Sequence, residues 1–76
     1  MATYAILRSL GKEVRERREQ RNLTQEELAD LAGFHTNVIG RLERGRYNTT
    51  VLTLAAIALT LNTSLVELFA GADRRA

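Results

Sequence analysis

Apolar residues recur along this chain every three to four positions, the period at which side chains share one face of a helix. Ile6 or Leu7, Leu10 and Val14 predict a first helix over about Thr3 to Arg21, ending where Asn22 can take the left-handed conformation. In "TQEELADLAG", Thr24 is an N-cap and Glu27, three residues on, closes a capping box. Leu28, Ala29 and Ala32 form the inner face of that second helix, and Gly33 lies past its end. A third helix follows after a few residues, roughly His35 to Arg44, with Ile39 and Leu42 inward and Gly45 as its stop. Thr50 caps a fourth helix through Leu61, with Asn62 at its end, and Ser64 with Glu67 makes another capping box for a short fifth. The tail "AGADRRA", residues 70–76, is small and charged and is expected to fray.

Every predicted element is a helix, so the expected fold class is all-α. The absence of proline and the supply of Leu, Ala, Glu and Arg agree with it. Two short helices joined by so tight a turn cross steeply, which makes the second and third a helix-turn-helix. The fourth helix carries two apolar stripes. Val51, Leu54, Ile57, Ala58 and Leu61 are expected in the core, while Leu52, Ala55, Ala56 and Leu59 lie on nearly the opposite side. A chain of 76 residues makes one domain, 1–76, and a monomer this small has nothing left to cover the second stripe. Together with Val66 and Phe69 it is therefore assigned to a homodimer interface. Singly scattered surface leucines are the competing explanation.

Composition removes several classes. Without cysteine there is no disulfide, and one histidine, His35, leaves no soft-ligand cluster for a metal. No cofactor or small-molecule ligand is implied, and no nucleophile and base or paired acids mark an enzyme. No apolar run is long enough to span a bilayer, and the N-terminus lacks a secretory signal, so a cytoplasmic protein is expected. Eleven Lys and Arg against nine Asp and Glu give a net charge of only +2. Distribution says more: ten of those eleven cations are arginines, and nine of the eleven lie between Arg8 and Arg46. Arginine suits phosphate oxygens and guanine edges. Solvated faces paired with Glu13, Glu16, Glu19, Glu26 and Glu27 would use the same residues, so charge permits a DNA partner without requiring one.

The stretch "GFHTNVIGRLERG" places Thr36, Asn37, Gly40 and Arg41 largely away from the Ile39 and Leu42 face. "LTQEELADLAGFHTNVIGRLERG", with "NTTVLTLAAIALTLNTSLVELF" behind it, closely resembles the Cro/XRE-type helix-turn-helix family of phage repressors and small bacterial regulators, over about residues 7–69. The resemblance implies a compact five-helix lambda-repressor-like domain, its second helix over the DNA backbone and its third in the major groove. It implies base reading by Thr36, Asn37, Gly40 and Arg41. Gln25, His35, Arg44, Arg46, Tyr47 and Asn48 fall where the sugar–phosphate backbone is contacted. It also implies a structural salt bridge between Arg18 and Glu43. The side-chain chemistry agrees, since Asn pairs bidentately with adenine, Arg with guanine, and the Thr methyl packs on thymine.

Two positions depart from the family. His35 stands where Ser, a better cap, is usual, and Arg17 stands where an apolar residue is common, which implies either a stem running along the core edge or a slightly rotated first helix. The function implied is a transcriptional regulator binding a double-stranded, inverted-repeat DNA operator as a homodimer, with RNA polymerase an open further partner. Size and the loop "RYNTT" resemble the controller proteins of restriction–modification systems. A protein-interaction adaptor or antitoxin built on the same helices is the alternative.

Overall fold

The computed structural model describes residues 3–75. Five helices follow one another: α1 (Thr3–Gln20), α2 (Gln25–Ala32), α3 (Thr36–Glu43), α4 (Val51–Thr60) and α5 (Leu65–Arg75). Their ends are set by local chemistry. Thr24 Oγ1 accepts from the Glu27 N–H at 3.0 Å while Glu27 Oε1 accepts from the Thr24 N–H at 2.8 Å, closing the capping box that opens α2. These bonds hold the Glu27 carboxyl below its ordinary pKa, the backbone bond contributing most. Thr50 caps α4 by accepting from the Thr53 N–H at 3.1 Å. Ser64 accepts from the Glu67 N–H at 3.1 Å, without the return bond a full box would have. Asn22 (φ 59°) and Asn62 (φ 57°) both take the left-handed conformation, as their places after α1 and α4 require.

Leu28, Ile39, Leu42, Ile57, Leu68 and Val14 are fully buried and form one core, shared by all five helices. α5 lies along α1, α2 and α3 form the tight pair, and α4 closes the core against α2. α4 and α5 meet at 97°. Gly11 lets α1 approach the end of α3: a Cβ there would run into the carbonyl oxygens of Leu42 and Glu43. Gly45 (φ 71°) turns the chain out of α3 directly against Arg8, where a side chain would collide with that residue's backbone and stem.

Two expectations change and one open choice is decided. Val51 is 65% exposed at the first turn of α4 and is not part of the core stripe, which consists of Leu54, Ile57, Ala58 and Leu61. In α1 Leu7 is half-buried and Ile6 exposed, so the inner stripe passes through the former. Most of the tail is ordered helix: α5 continues to Arg75, with Gly71 and Ala72 buried. The reason is tertiary. Ala72 joins the core, and Arg75 donates to Glu13 Oε1 at 3.1 Å and pairs with Glu16 on α1. Arg17 bridges the same region, donating to Glu13 Oε2 at 2.7 Å and to Thr63 Oγ1 at 3.2 Å. Its guanidinium fastens α1 to the α4–α5 link, which an apolar residue at that position could not do.

Candidate nucleic-acid interface

α3 is short, and its core residues decide what its outer side shows. With Ile39 and Leu42 fully inward, Asn37 and Arg41 emerge as exposed side chains and Thr36 as a half-buried one. These residues line a shallow hollow of about 240 Å³ together with Gln25, Gly40 and Arg44. The structure thus gathers most of the residues expected to meet DNA, drawn from both helices of the pair.

Gly40 is the exception within that group. It is buried beneath the ends of Gln25 and Arg44, whose side-chain atoms pass 3.4 and 3.3 Å from where its Cβ would be. It therefore leaves room for those side chains and is itself largely covered by them. His35 is the N-cap residue of α3, but its ring makes no capping hydrogen bond, so the cap is backbone geometry alone.

Beneath the hollow lies a buried ion pair. Arg18 grips Glu43 with its fork, Nε to Oε2 at 2.7 Å and Nη2 to Oε1 at 3.0 Å, and its third nitrogen donates to the Leu23 carbonyl at 2.7 Å. Only 10% of the Arg18 side chain and 2% of the Glu43 side chain are exposed. The hydrogen bonds that Arg18 donates to Glu43 hold its guanidinium above its ordinary pKa against the opposing effect of burial. Gln25 Nε2 donates to the same Glu43 oxygen at 3.0 Å. One carboxylate therefore ties α1, the start of α2 and the end of α3 into a fixed relation, and the orientation of Gln25 follows from it.

The cations continue past α3. A hollow of about 380 Å³ is lined by Arg44 and Arg46 of the loop together with Arg8, Lys12 and Arg15 of α1. The α1 contribution was not assigned to this site from the sequence, although positions 8, 12 and 15 share one helical face. Tyr47 is half-buried against the core, with the Arg41 guanidinium over its ring at 5.5 Å from the centroid. That pairing too was missed. Asn48 is exposed beyond it.

A second, apolar surface is formed by α4 and α5. Leu52 and Leu59 are 82% and 80% exposed, Val66 and Phe69 are exposed as well, and Ala55 and Ala56 are half-buried between them and the core. Val66 and Phe69 line a hollow of about 800 Å³ with Ile6, Leu65, Ala70 and Ala72. Ile6, the alternative to Leu7 for the inward face of α1, is brought to this surface by the docking of α1 on α5. No single described helix is long and apolar enough to cross a membrane.

A capped helix braced across a second one, an outward amide and guanidinium on the latter, and cations flanking both define a helix-turn-helix DNA-binding domain. The profile of the helix-turn-helix family matches residues 14–68, and the chain belongs to that family, in its Cro/XRE-type branch. It is similar to Control protein C.SmaI of Serratia marcescens, with 44% identity over 59 residues that cover 78% of this chain and 70% of that protein. It is also similar to the crystal structure of the restriction-modification controller protein C.AhdI from Aeromonas hydrophila, with a TM-score of 0.80 and 34% identity, covering 82% of this chain and 94% of that one. The clp gene regulator ClgR from Corynebacterium glutamicum superposes with a TM-score of 0.89 at 26% identity, over 92% of this chain and 74% of that one. The chain is a transcriptional regulator with a helix-turn-helix, close to the restriction–modification controller proteins.

Proposed function

We propose that the chain binds an inverted-repeat operator as a homodimer, in the manner of a controller protein of a restriction–modification system. The observation that carries this reading is the exposed Asn37 and Arg41 on a helix locked by the buried Arg18–Glu43–Gln25 network. Base discrimination needs donors held in one place, and a bidentate pair contributes about 1–3 kcal/mol of it. Asn37 and Arg41 read base edges with Thr36 beside them, and Gly40 clears the way for Gln25 and Arg44. Arg44, Arg46, Tyr47, Asn48 and His35 lie toward the backbone, and Arg8, Lys12 and Arg15 extend that cationic border.

The uncovered leucines support the dimer. One recognition helix reads only a few base pairs, whereas two related by a twofold axis read half-sites about one helical turn apart. Leu52 and Leu59, with Val66 and Phe69, are the exposed apolar side chains that such an axis would cover. A regulator of this kind acts in the cytoplasm, on DNA, and contact with RNA polymerase would decide whether it activates or represses. The adaptor reading needs a neutral α3 face, and Arg41, Arg44 and Arg46 argue against it. An antitoxin would use the same DNA-reading face.

The test is selection of the purified protein against a random duplex pool at about physiological salt, where non-specific electrostatic binding is weakened. Recovery of an inverted repeat is expected. No enriched sequence from folded protein would remove the operator assignment.

A further inference from the structure

We propose that Tyr47 is a positioning residue for base recognition: its ring is the platform that holds the Arg41 guanidinium on the reading face. The proposal rests on the DNA-reading assignment of α3 and names what steadies its arginine. The guanidinium carbon lies over the ring at 5.5 Å from its centroid.

A long exposed side chain samples many rotamers, and ordering it on contact with a base offsets part of what the contact contributes. An ion pair could order Arg41, but it would occupy the N–H edges that must face a base. Among the described residues Arg41 makes no such pair. An aromatic face attracts the cation without consuming a donor, so the guanidinium is held while its fork stays available.

The platform is itself fixed. Tyr47 is half-buried and packed against the core. The Arg46 N–H donates to the Arg41 carbonyl at 2.9 Å, and the left-handed Gly45 turns the chain between them. The loop that carries the ring is therefore fastened to the same turn of α3 that carries the arginine. Any movement of the loop moves the platform and its cation together.

The experiment compares binding to the duplex selected by the wild-type protein with binding to a duplex altered at the base pair where Arg41→Ala loses preference. Tyr47→Phe should keep the wild-type ratio of affinities for the two duplexes, whatever the loss of its hydroxyl does to both alike. Tyr47→Leu should lose about two- to five-fold of the discrimination between the two duplexes, the exposed-site value of a cation–π contact. In an Arg41→Ala background the same change should cost no further discrimination. Discrimination unchanged in Tyr47→Leu, or the same loss of discrimination in Tyr47→Phe, would overturn the proposal. So would Arg41→Ala without loss at any base pair.

NMR of the free protein gives a readout that needs neither DNA nor a stable leucine variant. The Arg41 δ-methylene protons should be shifted upfield by the ring in the wild type and in Tyr47→Phe. Unshifted protons in the wild type would also overturn it. A wild-type protein that selects no sequence would remove the DNA reading and this inference with it, whereas a selected motif that Tyr47→Leu discriminates undiminished removes only this inference.

Discussion

The α2–α3 side and the α4–α5 side of this molecule are both exposed, and they are held in opposite ways. The first is polar, and its side chains are fixed from within by a capping box at Thr24, the fork of Arg18 on Glu43, and Gln25 bonded to that carboxylate. The second is apolar, and among the described residues nothing removes Leu52 and Leu59 from water. A surface that reads hydrogen-bonding edges must be rigid before its target arrives, because misplaced donors lose their value steeply with angle and distance. An apolar surface needs only shape and area, and is completed by what covers it.

The comparison breaks most severely at the buried carboxylate. Glu43→Ala should destabilise the fold by about 3–5 kcal/mol, since it strands a buried Arg18 and frees Gln25. Urea denaturation measures it, and a variant that unfolds with the parent would show the network to be dispensable. On the other side, Leu52→Glu with Leu59→Glu should leave the monomer folded, because both residues are already solvated. On the proposed dimer it should weaken operator binding by about 100-fold or more, because the second half-site would no longer be linked. Sedimentation at micromolar concentration reports the monomer, and an unchanged dimer would move the interface elsewhere.

The proposed reading side can then be divided. Arg41→Ala should relax preference at one base pair by about 1–3 kcal/mol, whereas Arg46→Ala should weaken all sequences alike and lower the salt slope by about 1. Arg8→Ala with Lys12→Ala should resemble Arg46→Ala. Uniform loss in every variant would place Arg41 on the backbone as well.

The smallest expected effect lies where α5 is fastened to α1. Burial raises the Glu13 pKa, but the hydrogen bonds from Arg17 and Arg75 outweigh it and hold the carboxyl below its ordinary value. A lowered folded pKa means stability that is present above the unfolded value of about 4.3 and is lost as pH falls through the folded one. Glu13→Gln should therefore cost about 1 kcal/mol near neutrality, with the gap from wild type closing as the pH is taken down through 4. A gap that stays constant with pH would show that the charge on Glu13 contributes nothing.

Much of this architecture was legible in the chain because its determinants span one turn. Thr24 with Glu27, Thr50 with Thr53, and Asn22 and Asn62 past their helices are interactions or conformations settled within a few residues. The polar side of "HTNVIGRLE" could be read for the same reason: once Ile39 and Leu42 face inward, the helical period places Asn37 and Arg41. Gly40 escaped that reasoning because its cover, Gln25 and Arg44, comes partly from another helix. The tail escaped because "GADRR" opens on a glycine and carries no apolar period of its own, and the contacts that hold it, the shared core around Ala72 and the α1 carboxylates beside Arg75, are distant in sequence.

By itself, then, the sequence determined the helices, their caps, the inward stripes and the two outward faces, all consequences of backbone geometry and side-chain shape repeated over three or four residues. The tertiary structure decided what distant residues do to one another. It set Arg18 in the grip of Glu43, Arg17 against Thr63, Arg75 beside Glu13, and the α1 cations next to Arg44 and Arg46. Those pairings depend on where whole helices cross, and helix crossing is settled by the packing of one shared core.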